Sequence, residues 1–119
     1  LTWLYTGNQN LERQQLELQR NRLGQQREQF LLQTEAVRQR QSEEIARLRE
    51  QVAADQTITE LRAEITATAA TQLQEGVITV SDYLTELNRE DLARQNRLHH
   101  EIQLHQAIAD YQWLSGPQL

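Results

Sequence analysis

The chain has no cysteine, no methionine and no lysine. Without thiols there is no disulfide framework, no thiolate nucleophile and no cysteine-ligated metal, and cysteine usage leaves the redox compartment open. It has one proline, Pro117, close to its end, and four glycines, so long stretches carry no helix breaker. Aromatic residues make up 5% and apolar residues 38% of the sequence, less than a compact globular core needs. Such a chain is either disordered or an elongated helical assembly that needs only a narrow apolar stripe. No apolar run reaches eighteen residues, so no segment reads as a membrane-spanning helix. No signal peptide is visible and no initiator methionine is present, which leads us to expect a processed product or a piece of a larger protein.

What is there favours helix. The 119 residues are enough for one small domain. They include nineteen glutamines, every basic residue is an arginine, and the net charge is −5. Gln, Glu, Arg, Leu and Ala are all good helix formers. An acidic balance with dispersed arginines argues against a nucleic-acid partner.

Residues 1–10, LTWLYTGNQN, differ from the rest. Trp3 and Tyr5 alternate with Thr2 and Leu4, and Gly7-Asn8 reads as a turn, which fits the end of a strand; a frayed terminus fits equally well. Asn10 is a candidate N-cap. From Leu11 to Glu75 no strong breaker occurs. Leu16, Leu23, Phe30 and Val37 recur every seven residues, with Leu18 and Leu32 beside them. That period marks helices packed side by side. Ile45, Leu48, Val52, Ile58, Leu61, Ile65, Ala69 and Leu73 continue the stripe, with a phase drift expected over AADQT, residues 53–57. At ~1.5 Å per residue this helix is roughly 95 Å long.

A second helix is expected over residues 80–114, roughly 50 Å. Leu84, Leu87, Leu98, Ile102, Ala109 and Tyr111 or Trp113 mark its apolar face. Ser115-Gly116-Pro117 reads as the helix stop, opening a tail over 115–119. The expected fold is therefore all-α: a long antiparallel, coiled-coil-like helical hairpin with unequal arms and a tight turn near residues 76–79. Its long arm over residues 11–41 has no partner within the hairpin, yet carries the cleanest heptads. Self-association of the chain is expected on that ground.

The turn itself is EGVITVSDYL. Gly76 suits a left-handed C′ position. Thr79 or Ser81 caps the next helix, and Asp82, three residues after Thr79, completes a capping box. Val77 and Ile78 are either tucked inward or exposed at the apex, where they would form a docking surface.

No chemistry stands out. His99, His100 and His105 lack the three- or four-residue spacing of metal ligands on one helix face, and read as solvated or interhelix contacts. Ser42, Ser81 and Ser115 have no convincing base, Glu43-Glu44 is a charged face, and no glycine-rich phosphate loop exists. Neither catalytic residues nor a cofactor are expected. Asp91, Arg94 and Gln95 interrupt the second apolar face, and Asp91, Arg94 and Arg97 lie near the seam, where polar groups either fix register or line a wet space.

Three segments resemble the TolC-like outer-membrane efflux proteins. LTWLYTG, with Trp3, Leu4, Tyr5 and Gly7, looks like the family's strand end before a very long helix, with Asn8 where a second glycine is usual. EGVITVSDYL, with Gly76, Val77, Ile78, Thr79, Asp82 and Leu84, looks like its tip loop. LHHEIQLHQAIADYQWLSG, with Ala107, Tyr111, Leu114 and Gly116, resembles its closing helix. Glu86, Asn88, Asp91 and Arg94 depart from the family's small-residue seam. The resemblance implies one periplasmic tunnel segment of a homotrimeric export channel in a Gram-negative envelope. It further implies that residues 1–10 end a barrel strand of the outer membrane. Gly76, Val77, Ile78 and Thr79 would then dock a periplasmic adaptor tied to an inner-membrane pump, and Asp91, Arg94 and Arg97 would line the tunnel or its seam. The alternative is a structural or interaction hairpin, such as an adaptor-type coiled coil, unrelated to a channel.

Overall fold

Helix formers run unbroken up to Gly76, and the backbone follows them. In a computed structural model, residues 2–116 are described, and they form two helices, α1 (Thr2–Gln74) and α2 (Val80–Leu114), joined by a five-residue turn. The chain divides into two units, residues 1–39 and 40–119. The result is an all-α antiparallel hairpin with unequal arms, 73 residues against 35.

The first unit corrects the reading of its opening residues. No strand or turn interrupts residues 2–10: Trp3, Tyr5, Gly7 and Asn8 all lie in α1, and Asn10 sits inside the helix instead of capping it. Alternating aromatics make a strand only beside a neighbour that completes its hydrogen bonds, and the described residues contain none. Past its first turn the helix satisfies its backbone groups internally, so it prevails. Every large apolar side chain from Trp3 to Leu32 in this unit is exposed, Phe30 to 66% and Leu23 to 65%.

The second unit holds the hairpin's packing. On α1 the covered positions recur in two seven-residue rows: Gln41, Leu48, Asp55, Arg62, Ala69, and Ile45, Val52, Thr59, Thr66, Leu73. On α2 the rows are Tyr83, Glu90, Arg97, Leu104, Tyr111, and Glu86, Ala93, His100, Ala107. The row through Leu48, Asp55 and Arg62 crosses residues 53–57 in phase, so the expected drift is absent. Polar residues take seam positions there, and the isoleucines that suggested a shifted stripe, Ile58 and Ile65, lie off the seam, 47% and 44% exposed.

The apolar face expected for α2 is displaced in the same way. Leu87 and Tyr111 are partly covered, but Leu84, Leu98, Ile102, Ala109 and Trp113 are exposed. The buried apolar residues among those described are Leu48, Ala69 and Ala93, which makes a thin core. Threonines inside the helices hydrogen-bond the carbonyl four residues back, as Thr59 Oγ1 does to Asp55 O at 2.7 Å. At the far end of α2, Gly116 adopts φ +80° and its N–H donates to Trp113 O at 3.3 Å. Pro117 and the rest of the expected tail lie outside the described residues, as does Leu1.

Candidate functional site

The turn is built from local chemistry on both sides. Gly76 takes φ +73°, a left-handed conformation open to glycine. Its N–H donates to Leu73 O at 3.1 Å, and Val77 N–H donates to Gln72 O at 2.9 Å. This paired closure satisfies the last carbonyls of α1 in a Schellman motif. On the other side Thr79 is the N-cap of α2. Asp82 N–H donates to Thr79 Oγ1 at 3.1 Å, and Thr79 N–H donates to Asp82 Oδ2 at 3.0 Å. Thr79, rather than Ser81, therefore caps the helix, and Ser81 O instead accepts from Thr85 Oγ1. The Thr79 backbone N–H, then its hydroxyl, hold the Asp82 carboxyl below the usual carboxylate range.

This closure separates the two branched residues. Val77 is 66% exposed at the apex. Ile78 is half-buried and lines a groove together with Ile65, Ala69, Glu64, Asp82, Glu86 and Arg89. The groove carries three carboxylates and one guanidinium.

Further from the turn the seam is polar. Thr66 Oγ1 reaches across to Glu86 O at 3.4 Å, and Arg62 Nη1 lies 3.7 Å from Glu86 Oε2, an ion-pair distance too long for a hydrogen bond. Glu86 Oε1 is met by Arg89 Nη1 at 2.8 Å. Glu90 is buried and paired with Arg94, whose side chain stays mostly in solvent. Asp91, one residue on, is exposed, so the acid at the seam is Glu90 and not Asp91. Arg97 is half-buried and donates to Glu101 Oε1 at 2.8 Å.

Beyond these, His100 Nδ1 and Asp55 Oδ2 are hydrogen-bonded at 2.5 Å, while Gln51 Nε2 donates to Asp55 Oδ1 at 3.2 Å. Both carboxylate oxygens of a buried aspartate are thus satisfied. Neither Asp55 nor its pairing with His100 was expected from sequence; the signal was there in the seven-residue rows once the turn fixed which positions face each other. No group of three or more His, Asp or Glu among the described residues could hold a metal ion.

The remaining surface feature is the first unit of α1. Leu16, Leu23 and Phe30 form one stripe at seven-residue spacing, and Leu4, Leu11, Leu18 and Leu32 fall on a second seven-residue row. The rows are offset by two residues, about 200° around a helix. The two stripes therefore lie on nearly opposite sides, and both are exposed. On α1's outer face in the second unit, Glu44 accepts from Arg47, which lowers the carboxyl and raises the guanidinium; such an exposed pair adds little stability.

No protein-family model, curated protein or solved structure matches this chain.

Proposed function

We propose that the chain is a structural interaction module, a helical hairpin that presents apolar helix faces to other helices and carries out no chemistry of its own. The observation that carries this reading is the double stripe of the first unit. Ten large apolar side chains between Trp3 and Leu32 are exposed on one helix. A helix with apolar rows on two sides buries them only between two neighbours. Neighbouring helices, from copies of this chain or from other parts of the assembly, supply the covering area at about 25 cal/mol per Å².

Sedimentation equilibrium over a wide concentration range tests this. The expected result is concentration-dependent association that Leu23→Gln with Phe30→Gln weakens without changing the melting of the second unit. A chain that stays monomeric at all concentrations, alone and beside candidate helical partners, overturns it.

A finer reading keeps the resemblance to TolC-like efflux proteins. In it the hairpin is a periplasmic tunnel segment of a homotrimeric outer-membrane channel, and Gly76, Val77, Ile78 and Thr79 dock a periplasmic adaptor linked to an inner-membrane pump. Asp91, Arg94 and Arg97 would then lie along the tunnel or its seam. What supports it is the tip: a turn fixed by a Schellman motif and a capping box, with Val77 exposed at its apex. Val77→Asp in the parent protein tests it. Efflux and adaptor cross-linking should fall while folding is retained; unchanged values for both would remove the docking role.

A further inference from the structure

Half of the buried residues described are polar: Asp55, Thr66 and Glu90, against Leu48, Ala69 and Ala93. An apolar seam position accepts almost any apolar neighbour. A buried carboxylate accepts only an arrangement that returns the hydrogen bonds it loses from water. Asp55 has one such arrangement here, with His100 across the seam and Gln51 on its own helix.

The alternatives lack that partner. The α2 row that carries His100 has Ala93 and Ala107 one heptad to either side. A slip of the hairpin by seven residues therefore sets Asp55 against a methyl group. The stripes of α1 offer a second competitor, because α1 of another copy could lie along the same seam. But all three histidines, His99, His100 and His105, are in α2, and α1 has none. Two copies of α1 pairing through this seam would bury Asp55 without its imidazole.

We infer that the Asp55–His100 pair is a register and partner lock, which admits α2 to the seam in one register and rejects a second copy of α1. Polar seam residues that fix register generally do so at a cost in stability relative to apolar ones. The lock lets the chain keep the exposed stripes of its first unit for other helices without losing its own hairpin to them.

The test exploits the absence of cysteine. Arg49→Cys and Gln106→Cys, both exposed, place two spin labels on opposite arms. Pulsed electron-spin distance measurement on the 119-residue chain, fully labelled and diluted with unlabelled chain, separates distances within a copy from those between copies. The expected result is one intramolecular distance in the parent. Asp55→Leu with His100→Leu should keep its helix content and melt higher, but show a second distance or one that dilution removes. The same double variant with a single, parent-like distance and unchanged mass overturns the lock. So does loss of helix content, which would make the pair a requirement for stability and not a means of selection.

Discussion

His100 and Asp55, separated by 45 residues in sequence, meet across the seam with Nδ1 2.5 Å from Oδ2. The aspartate side chain is 8% exposed and the imidazole 28%. Removing one partner leaves the other without its hydrogen bond in a mostly dry place. Asp55→Ala or His100→Ala should each destabilise the hairpin by about 1–3 kcal/mol. Urea denaturation followed by circular dichroism reads this as a lower midpoint with unchanged slope. The two single losses should not add in the double alanine variant, because the first already breaks the contact.

Glycine substitutions should act in opposite directions along the chain. Gly76 has φ +73°, and a Cβ there would meet nothing within 4 Å, so the cost of Gly76→Ala is purely that of the backbone. It should destabilise by about 1 kcal/mol. Gly24 lies inside α1, also with open space around its Cβ position. Gly24→Ala should raise helix content and stabilise by about 1 kcal/mol. Thermal melts of the two variants beside the parent decide it, and equal signs would contradict the turn geometry.

The capping box makes stability depend on acid. The Asp82 carboxyl is depressed by hydrogen bonds from the Thr79 N–H and hydroxyl. A depressed carboxyl contributes stability that is fully present above its unfolded value, ~3.9, and is lost as pH falls through the lower folded value. Glu44, lowered by Arg47, acts in the same direction. Asp82→Asn should therefore flatten the acid limb of a stability-against-pH profile, and Glu44→Gln should flatten it further. Thr79→Ala removes the cap from the other side and should lower stability by about 1 kcal/mol at neutral pH. Guanidinium titrations between acid and neutral pH measure all three.

These features were not equally legible in the sequence. The turn was, because its chemistry is local: Gly76, Thr79 and Asp82 act within seven residues of one another. The two-helix hairpin followed from that turn and from the scarcity of breakers. The seam was not legible, because its phase is masked. Asp55, Arg62, Glu90 and Arg97 occupy covered rows where leucine is expected, while Ile58, Ile65, Leu84 and Leu98 sit on exposed flanks and imitate a shifted stripe. Counting seven-residue steps outward from the turn, rather than following apolar residues, recovers the rows and brings Asp55 to His100. The opening residues misled for a different reason. Trp3 and Tyr5 favour a strand only where another strand is present, a condition no short stretch carries within itself.

Two leucines at matching chemistry should separate folding from association. Leu48 is 2% exposed in the seam, whereas Leu23 is 65% exposed on the stripe of the first unit. Leu48→Ala removes buried methyl groups and opens a cavity, and by analogy with other core truncations should cost about 2–4 kcal/mol. In a core this thin that is enough to unfold a large share of the hairpin at ambient temperature. Leu23→Ala removes surface that is still wet in the single chain, and alanine is the better helix former, so the dilute chain should melt no lower than the parent. Its effect should appear at high concentration, as weaker association. Thermal melts and sedimentation run on both variants across the same concentration range make the comparison. If Leu23→Ala lowers the melting point at every concentration equally, Leu23 is packed within its own chain, and the interaction role of that stripe is lost.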